Sequence, residues 1–365
     1  MIFYVIIIIL EGILLKNYIN EIFAIRTIAC LSVVLLHSIN YAIAGYRDDL
    51  STLEYLASSA FGMILYFGTP TFILISEILI SNSYSDFIPK NFLFKRFKYI
   101  LIPYIAMAIF YSLVDIHTNN LNLDLSTFII EASKNIFLGD WHGYFVLIIF
   151  QFYILHALLY KKLKVWNPTW VLSISFIINF VYLAFFQLTK PMNFIFADYI
   201  WLRFNWILFL GWIFYFFLAY YIGSNYKKFI PMISKFKFLI SIILVISFIS
   251  IMGFTYLEIF ERSSKRPDMI IYTCSLVCLL FILASILKRT PKLVGLISRY
   301  SYGIYLIHIV FLVLVFHPNE NIPFIVYITL TFIGSLVSSI IIIYLLNKFT
   351  LGKYLVGKVG LKPKK

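Results

Sequence analysis

Four groups of side chains in this sequence could do chemistry, and all sit among Ile, Leu, Phe and Val. Arg26 and His37 are eleven residues apart. A helix brings them within about 20° of the same face, about 16 Å apart along its axis. A guanidinium there can hold an anion, and an imidazole can take a proton from a hydroxyl near neutral pH. The alternative for His37 is a neutral ring bonded to a neighbouring carbonyl. Ser301, Tyr305 and His308 follow at i, i+4 and i+7 and share one face. They could donate to a developing oxyanion, or simply tie two helices together. Glu77 falls at the depth of Arg26, near Lys95, Arg96 and Lys98. It either neutralises one of those cations or lines a polar cavity with Arg26 and Arg96.

A fourth group, Asp140, Trp141, His142 and Tyr144, follows an amphipathic stretch from Leu125 to Phe137. Trp141 and Tyr144 are what a membrane interface attracts, while Asp140 and His142 could hold a sugar or orient another histidine. Arg203 and the cluster Arg262, Lys265 and Arg266 could bind an anionic glycan, but offsetting Glu258, Glu261 and Asp268 is the simpler expectation. His117, His156 and His317 lie near segment ends and are given no role. Cys30, Cys274 and Cys278 read as packing residues, and without zinc-type spacing or a glycine-rich phosphate loop no metal is expected.

Such ionisable groups are costly where these stretches place them, at least ~2.5 kcal/mol each at membrane depth. The elements that must carry them are membrane helices. Of 365 residues, 62% are hydrophobic and 13% charged, with a mean hydropathy of +0.93, which excludes an ordinary soluble domain. Ten segments are long and apolar enough to span: roughly 22–44, 55–80, 99–114, 143–160, 168–187, 204–223, 238–256, 269–287, 300–317 and 322–347. Their runs do not alternate as barrel strands would, so the fold expected is an all-α polytopic bundle. With ten spans, 23 of the 30 Lys and Arg fall on the side of both termini, which is therefore expected to be cytoplasmic. The net charge of +14 is accounted for by that bias, and no nucleic acid partner is expected. Residues 1–20 read as an extension, interfacial or outside the physiological start, and 348–365 as a basic cytoplasmic tail after the domain at 21–347. No internal repeat or broken helix is apparent.

The stretch Arg26 through His37, the element Gly68-Thr69-Pro70-Thr71-Phe72, the basic segment leading into Ile102-Pro103-Tyr104, and Ser301 through His308 together resemble the membrane-bound acyltransferase 3 family, over essentially the whole bundle and in order. Lys98 through Ile105, Gly139 through Phe145 and Gly211 through Leu218 are more closely similar to its IcaC-like, intercellular-adhesion branch of the poly-N-acetylglucosamine system.

The resemblance implies an O-acyltransferase that moves an acetyl or succinyl group from cytoplasmic acyl-CoA, a donor substrate rather than a resident cofactor, to hydroxyls of an extracytoplasmic polysaccharide. Arg26 and His37 would be the family's essential pair, with His308 and Tyr305 assisting. Arg96 and Lys98, with Glu77 nearby, would face the CoA phosphates, and Asp140, Trp141, His142 and Arg203 the glycan. The family's Arg-x-x-Arg spacing is not intact here, since Lys95, Arg96 and Lys98 stand in its place. The rival readings are a polysaccharide exporter or flippase without acyl transfer, and a structural partner of a glycan synthase.

Overall fold

Apolar runs punctuated by Pro, Gly and polar caps become helices throughout. The computed structural model describes residues 19–84, 87–287, 289–315 and 322–363. The extension expected over 1–20 lies outside these but for its last two residues, and so does His317. Among the described residues all regular structure is helical, with no strand. The first half comprises α1 (Glu21–Gly45), α2 (Thr52–Leu65), α3 (Gly68–Ser83), α4 (Phe92–Arg96), α5 (Ile102–Thr118), α6 (Leu125–Ser133), α7 (Phe145–Leu163) and α8 (Pro168–Leu188). The second comprises α9 (Ala197–Ile207), α10 (Ile213–Ser224), α11 (Tyr226–Lys235), α12 (Lys237–Tyr256), α13 (Met269–Ser285), α14 (Lys292–Leu314), α15 (Phe324–Leu346) and the short α16 (Gly352–Leu355).

Each of the ten expected segments falls on a helical stretch. Among the described residues eight stretches are long and apolar enough to cross a membrane, or nine if α9 and α10, bent by 41°, form one span; α13 has 17 residues. The chain is a multi-pass membrane protein. Its centre is α1, which packs against α2, α3, α13, α14 and α15. The most apolar window of α1 is 72% buried against 11% for that of α12, so the polar stripe of α1 faces protein and α12 faces outward. Close approach depends on small residues: a Cβ on Gly68 would lie 3.0 Å from the Ala29 carbonyl of α1, and one on Gly223 of α10 would collide with Ser81 and Ile78 of α3.

Two irregularities position the site. Before α5 the chain makes a π turn, Phe97–Leu101, in which the Ile102 N–H reaches the Phe97 carbonyl. Pro103 follows, with no N–H to give and a ring that crowds the preceding turn, and the wider turn accommodates it. Tyr302 of α14 donates to the Ile100 carbonyl at 2.6 Å.

The second irregularity is the break between α9 and α10, contrary to the expectation of unbroken helices. It has no proline; two side-chain amides stand in for the missing backbone partners. Gln151 of α7 bonds the Ile207 carbonyl at 2.7 Å and the Phe209 N–H at 3.1 Å. Asn179 of α8 bonds the Gly211 carbonyl at 2.9 Å and the Phe214 N–H at 3.2 Å. Finally, residues expected as a free tail fold back on the lower end of the bundle, where α1 begins. The Gly360 N–H donates to the Arg299 carbonyl at 2.8 Å.

Candidate active site

Two cavities lie one above the other along α1 and α14. The lower, of about 320 Å³, is lined by Arg26 of α1, Arg96 of α4, Arg299 of α14 and Lys358 of the folded-back tail, with no carboxylate in its wall. Its remaining wall is largely apolar, from α3, α7 and Ile100 of the π turn before α5, with Ser76, Tyr153, Ser298, Ser301 and Tyr302 interspersed. Arg96 lies over Phe92 and Tyr153 at 5.0 and 5.4 Å, and its Nε is buried without a hydrogen-bond partner. Four cations around an apolar slot leave charge unspent for an anion with a flexible, largely apolar arm.

The upper cavity, of about 770 Å³, is lined by His37, His142, Tyr305, Asp140, Trp141 and Arg203, among others. Three imidazoles converge beside it. The ring of His37 lies 5.2 Å from that of His308 and 6.4 Å from that of His142, and His142 and His308 are 5.3 Å apart. Backbone partners fix two tautomers, because a carbonyl only accepts. The Nδ1 of His308 donates to the carbonyls of Ile304 and Tyr305, leaving its buried Nε2 as an unpartnered lone pair. The Nε2 of His142 donates to the Tyr305 carbonyl at 3.0 Å, leaving Nδ1 as its acceptor.

Tyr305 and Phe145 line both cavities and form the partition between them. The stripe Ser301, Tyr305, His308 thus runs from lower cavity to imidazole cluster in about 10 Å of helix. Arg26 and His37, on their shared face of α1, open into the lower and the upper cavity respectively.

Local sequence explains the Asp140 to Tyr144 turn. Gly139 takes a left-handed φ of +58°, where glycine carries no steric cost, and ends the helical stretch. A Cβ on Gly143 would run into the Trp141 ring, so only glycine lets the turn tuck beneath it. Trp141 stacks on Tyr111 and Tyr104 at 4.8 and 5.4 Å and serves as wall. Asp140 pairs with Arg203 at 3.0 Å and accepts from the Tyr199 hydroxyl at 3.1 Å.

The expected site residues are not all brought together. Lys98 faces away from the lower cavity, over Tyr99 and Tyr354 at 5.8 and 5.7 Å; the π turn that keeps Arg96 inward carries it outward. Glu77 joins neither Arg26 nor a basic residue near α4. Its carboxylate meets His156 Nδ1 at 2.6 Å, and both side chains are buried. His156, expected near water, is fully enclosed. Arg266 does offset Asp268, at 2.6 Å. Arg299 and Lys358 had no assigned part in the site. Arg299 could have been found from the stripe Ser298, Ser301, Tyr302 and Tyr305 beside it, whereas nothing local marks Lys358. Among the described residues no cluster of His, Cys, Asp or Glu is arranged to hold a metal.

A family model described as an acyltransferase domain matches residues 19–344. The chain belongs to the acyltransferase 3 family. Over 345 residues it is 38% identical to the putative membrane-bound acyltransferase YfiQ of Bacillus subtilis, covering 93% of this chain and 95% of that protein. It is 30% identical over 349 residues to a probable poly-beta-1,6-N-acetyl-D-glucosamine export protein of Staphylococcus aureus, with 93% and 95% covered. The corresponding Staphylococcus epidermidis protein is 29% identical over 295 residues, 79% of each chain. No solved structure matches. Within the acyltransferase 3 family this chain thus resembles both a putative membrane-bound acyltransferase and probable poly-beta-1,6-N-acetyl-D-glucosamine export proteins.

Proposed function

We propose that this protein transfers an acyl group, acetyl or succinyl, from acyl-CoA in the lower cavity to a hydroxyl of a cell-surface polysaccharide in the upper one. The observation that carries this reading is the pair of adjoining cavities, one a basic slot with apolar walls and the other bordered by three imidazoles, sharing Tyr305 and Phe145 as their wall. The lower end, where α1 begins, faces the cytoplasm of a cell membrane on this reading, and the distribution of basic residues supports cytoplasmic termini.

The phosphates of CoA sit on Arg26, Arg96, Arg299 and Lys358, and the thioester arm rises between Tyr305 and Phe145. His37, to which no hydrogen bond within the protein is assigned, takes the proton of the acceptor hydroxyl. The hydroxyl oxygen bonds to the thioester carbon, the carbon–sulfur bond breaks, and the CoA thiolate leaves and is reprotonated. Tyr305 and His308 were attractive as oxyanion donors, but both have their proton committed to a carbonyl. Their role here is different. Tyr305 holds the His142 turn, and the free Nε2 of His308 can receive a proton relayed from His37.

The test is thiol release from acetyl-CoA or succinyl-CoA by purified protein in lipid nanodiscs supplied with a hydroxyl acceptor. General-base catalysis contributes roughly 10²- to 10⁴-fold, and His37→Ala should lose about that much while eluting as the folded protein. Undiminished transfer by His37→Ala would remove the base. Glycan movement across the bilayer with no thiol released by the wild type would favour an exporter.

A further inference from the structure

Lys265 stands at the upper cavity on the loop between α12 and α13, held there by its own carbonyl, which accepts from Gln187 at 3.1 Å. Its side chain is 2% exposed and lines the cavity, yet its Nζ has no hydrogen-bond partner. Its neighbours there are aromatic: Nζ sits 3.5 Å from the Trp206 ring centre and 5.2 Å from that of Tyr144. A cation–π contact offsets part of the cost of burying an ammonium and does not replace a counter-ion. Two more cations face the same space, Arg203 and Arg262. Arg262 is held by the Ser59 hydroxyl and lies over Tyr55 at 5.0 Å, with no acid. The two carboxylates in the cavity wall are both engaged: Asp140 by Arg203 and Tyr199, and Asp115 by the Asn135 amide at 2.8 Å. Arg266, next in sequence, has its own carboxylate in Asp268. The loop therefore sends one paired cation, Arg266, into the protein and two without a carboxylate, Arg262 and Lys265, to the cavity.

We infer that the upper cavity recognises a negatively charged group on the substrate it receives, a carboxylate or phosphate oxygen that Lys265 binds, with Arg203 and Arg262 flanking. This rests on the acyl-transfer reading and narrows it. The anion has two possible sources, an acidic residue of the acceptor glycan or the far end of a dicarboxylic acyl group, and the chemistry at Lys265 is the same for both.

The direct probe is Trp206 fluorescence, because the ligand would pull Nζ away from that ring. Titrating the wild type in nanodiscs with a glucuronate-containing oligosaccharide should change the emission, and the matched neutral glucose oligosaccharide should not. Trp206→Phe should abolish the signal. In Lys265→Met the affinity for the acidic oligosaccharide should fall roughly ten- to hundredfold, the usual worth of a charge-assisted bond, and Lys265→Arg should restore most of it. Turnover separates the sources. With acetyl-CoA, a wild-type preference for the acidic acceptor that Lys265→Met loses places the anion on the glycan. A loss confined to succinyl-CoA, with acceptor charge irrelevant, places it on the acyl group. Equal binding of acidic and neutral oligosaccharides, unchanged by Lys265→Met, with no loss confined to succinyl-CoA, overturns the inference. Because the fluorescence titration needs no acyl-CoA, an absence of thiol release would sink the acyl-transfer reading without deciding this one.

Discussion

The hydroxyl of Tyr305 donates to the backbone carbonyl of His142, and the ring Nε2 of His142 donates back to the backbone carbonyl of Tyr305. This reciprocal pair fastens α14 to the turn beginning at His142, 163 residues away in the chain. It holds the partition between the cavities in place and at the same time decides which nitrogen of His142 faces the acceptor side.

Removing one half of that latch should therefore slow transfer without weakening donor binding. Tyr305→Phe loses one hydrogen bond, about 0.5–1.5 kcal/mol, so kcat should drop roughly two- to tenfold while KM for acyl-CoA stays nearly constant. Steady-state thiol release across donor concentrations reads both. A rise in KM with unchanged kcat would mean that the Tyr305 hydroxyl bonds the donor and does not hold His142.

The cations of the lower cavity should differ in weight because they differ in exposure. Arg96 is partly buried, with an unpartnered Nε, so Arg96→Gln should raise KM for acyl-CoA by about tenfold or more. Lys358 is exposed, and an exposed charge is worth ~0.2–1 kcal/mol, so Lys358→Ala should raise KM about fivefold at most. Both effects should shrink in high salt. If dephospho-CoA derivatives bind as well as the full donor in every variant, these cations do not hold the phosphates.

Glu77 and His156 supply a different test, since neither lines the lower or the upper cavity. Truncating one member of a buried pair strands the other and costs about 3–5 kcal/mol, whereas replacing both by apolar groups of similar volume can be nearly neutral. Glu77→Ala should lower the thermal unfolding midpoint in detergent markedly, and Glu77→Leu with His156→Phe should recover much of the loss. KM for acyl-CoA should be unaffected in whatever folds. A raised KM with unchanged stability would return Glu77 to the donor site.

These residues also show where the sequence could be read and where it could not. Arg26 with His37, and Ser301 with Tyr305 and His308, are each carried on one helix, so the 3.6-residue repeat alone places them on one face. Glu77 and His156 are 79 residues apart on separate helices. Their pairing depends on how α3 and α7 pack, which no local pattern encodes. Arg96 and Lys98 look equivalent in sequence, and only the π turn before Pro103 separates them. Lys358 reaches the lower cavity because Gly360 returns to Arg299, a tertiary contact that an apolar-run count passes over. The ten apolar segments were legible because burial in lipid demands long apolar helices. The α9–α10 break was not, because the amides that compensate it belong to α7 and α8.

Lys265 makes stability depend on pH in a direction that can be worked out. Burial holds its ammonium well below the ordinary lysine value of 10.5, with Arg203 adding to the effect. Between that depressed value and 10.5 the unfolded chain binds a proton that the folded chain lacks, so stability rises with pH across this window. Below the depressed value both states are protonated and the full cost of the buried cation is present. In the ligand-free protein Lys265→Met should therefore be more stable than the wild type near neutral pH, and the difference should close as the pH approaches 10.5. Thermal unfolding midpoints of the two proteins, followed from pH 7 to 10, measure this. Parallel curves would mean that Lys265 carries its proton in the folded protein as readily as in water, and that its burial imposes no charge cost for a ligand to relieve.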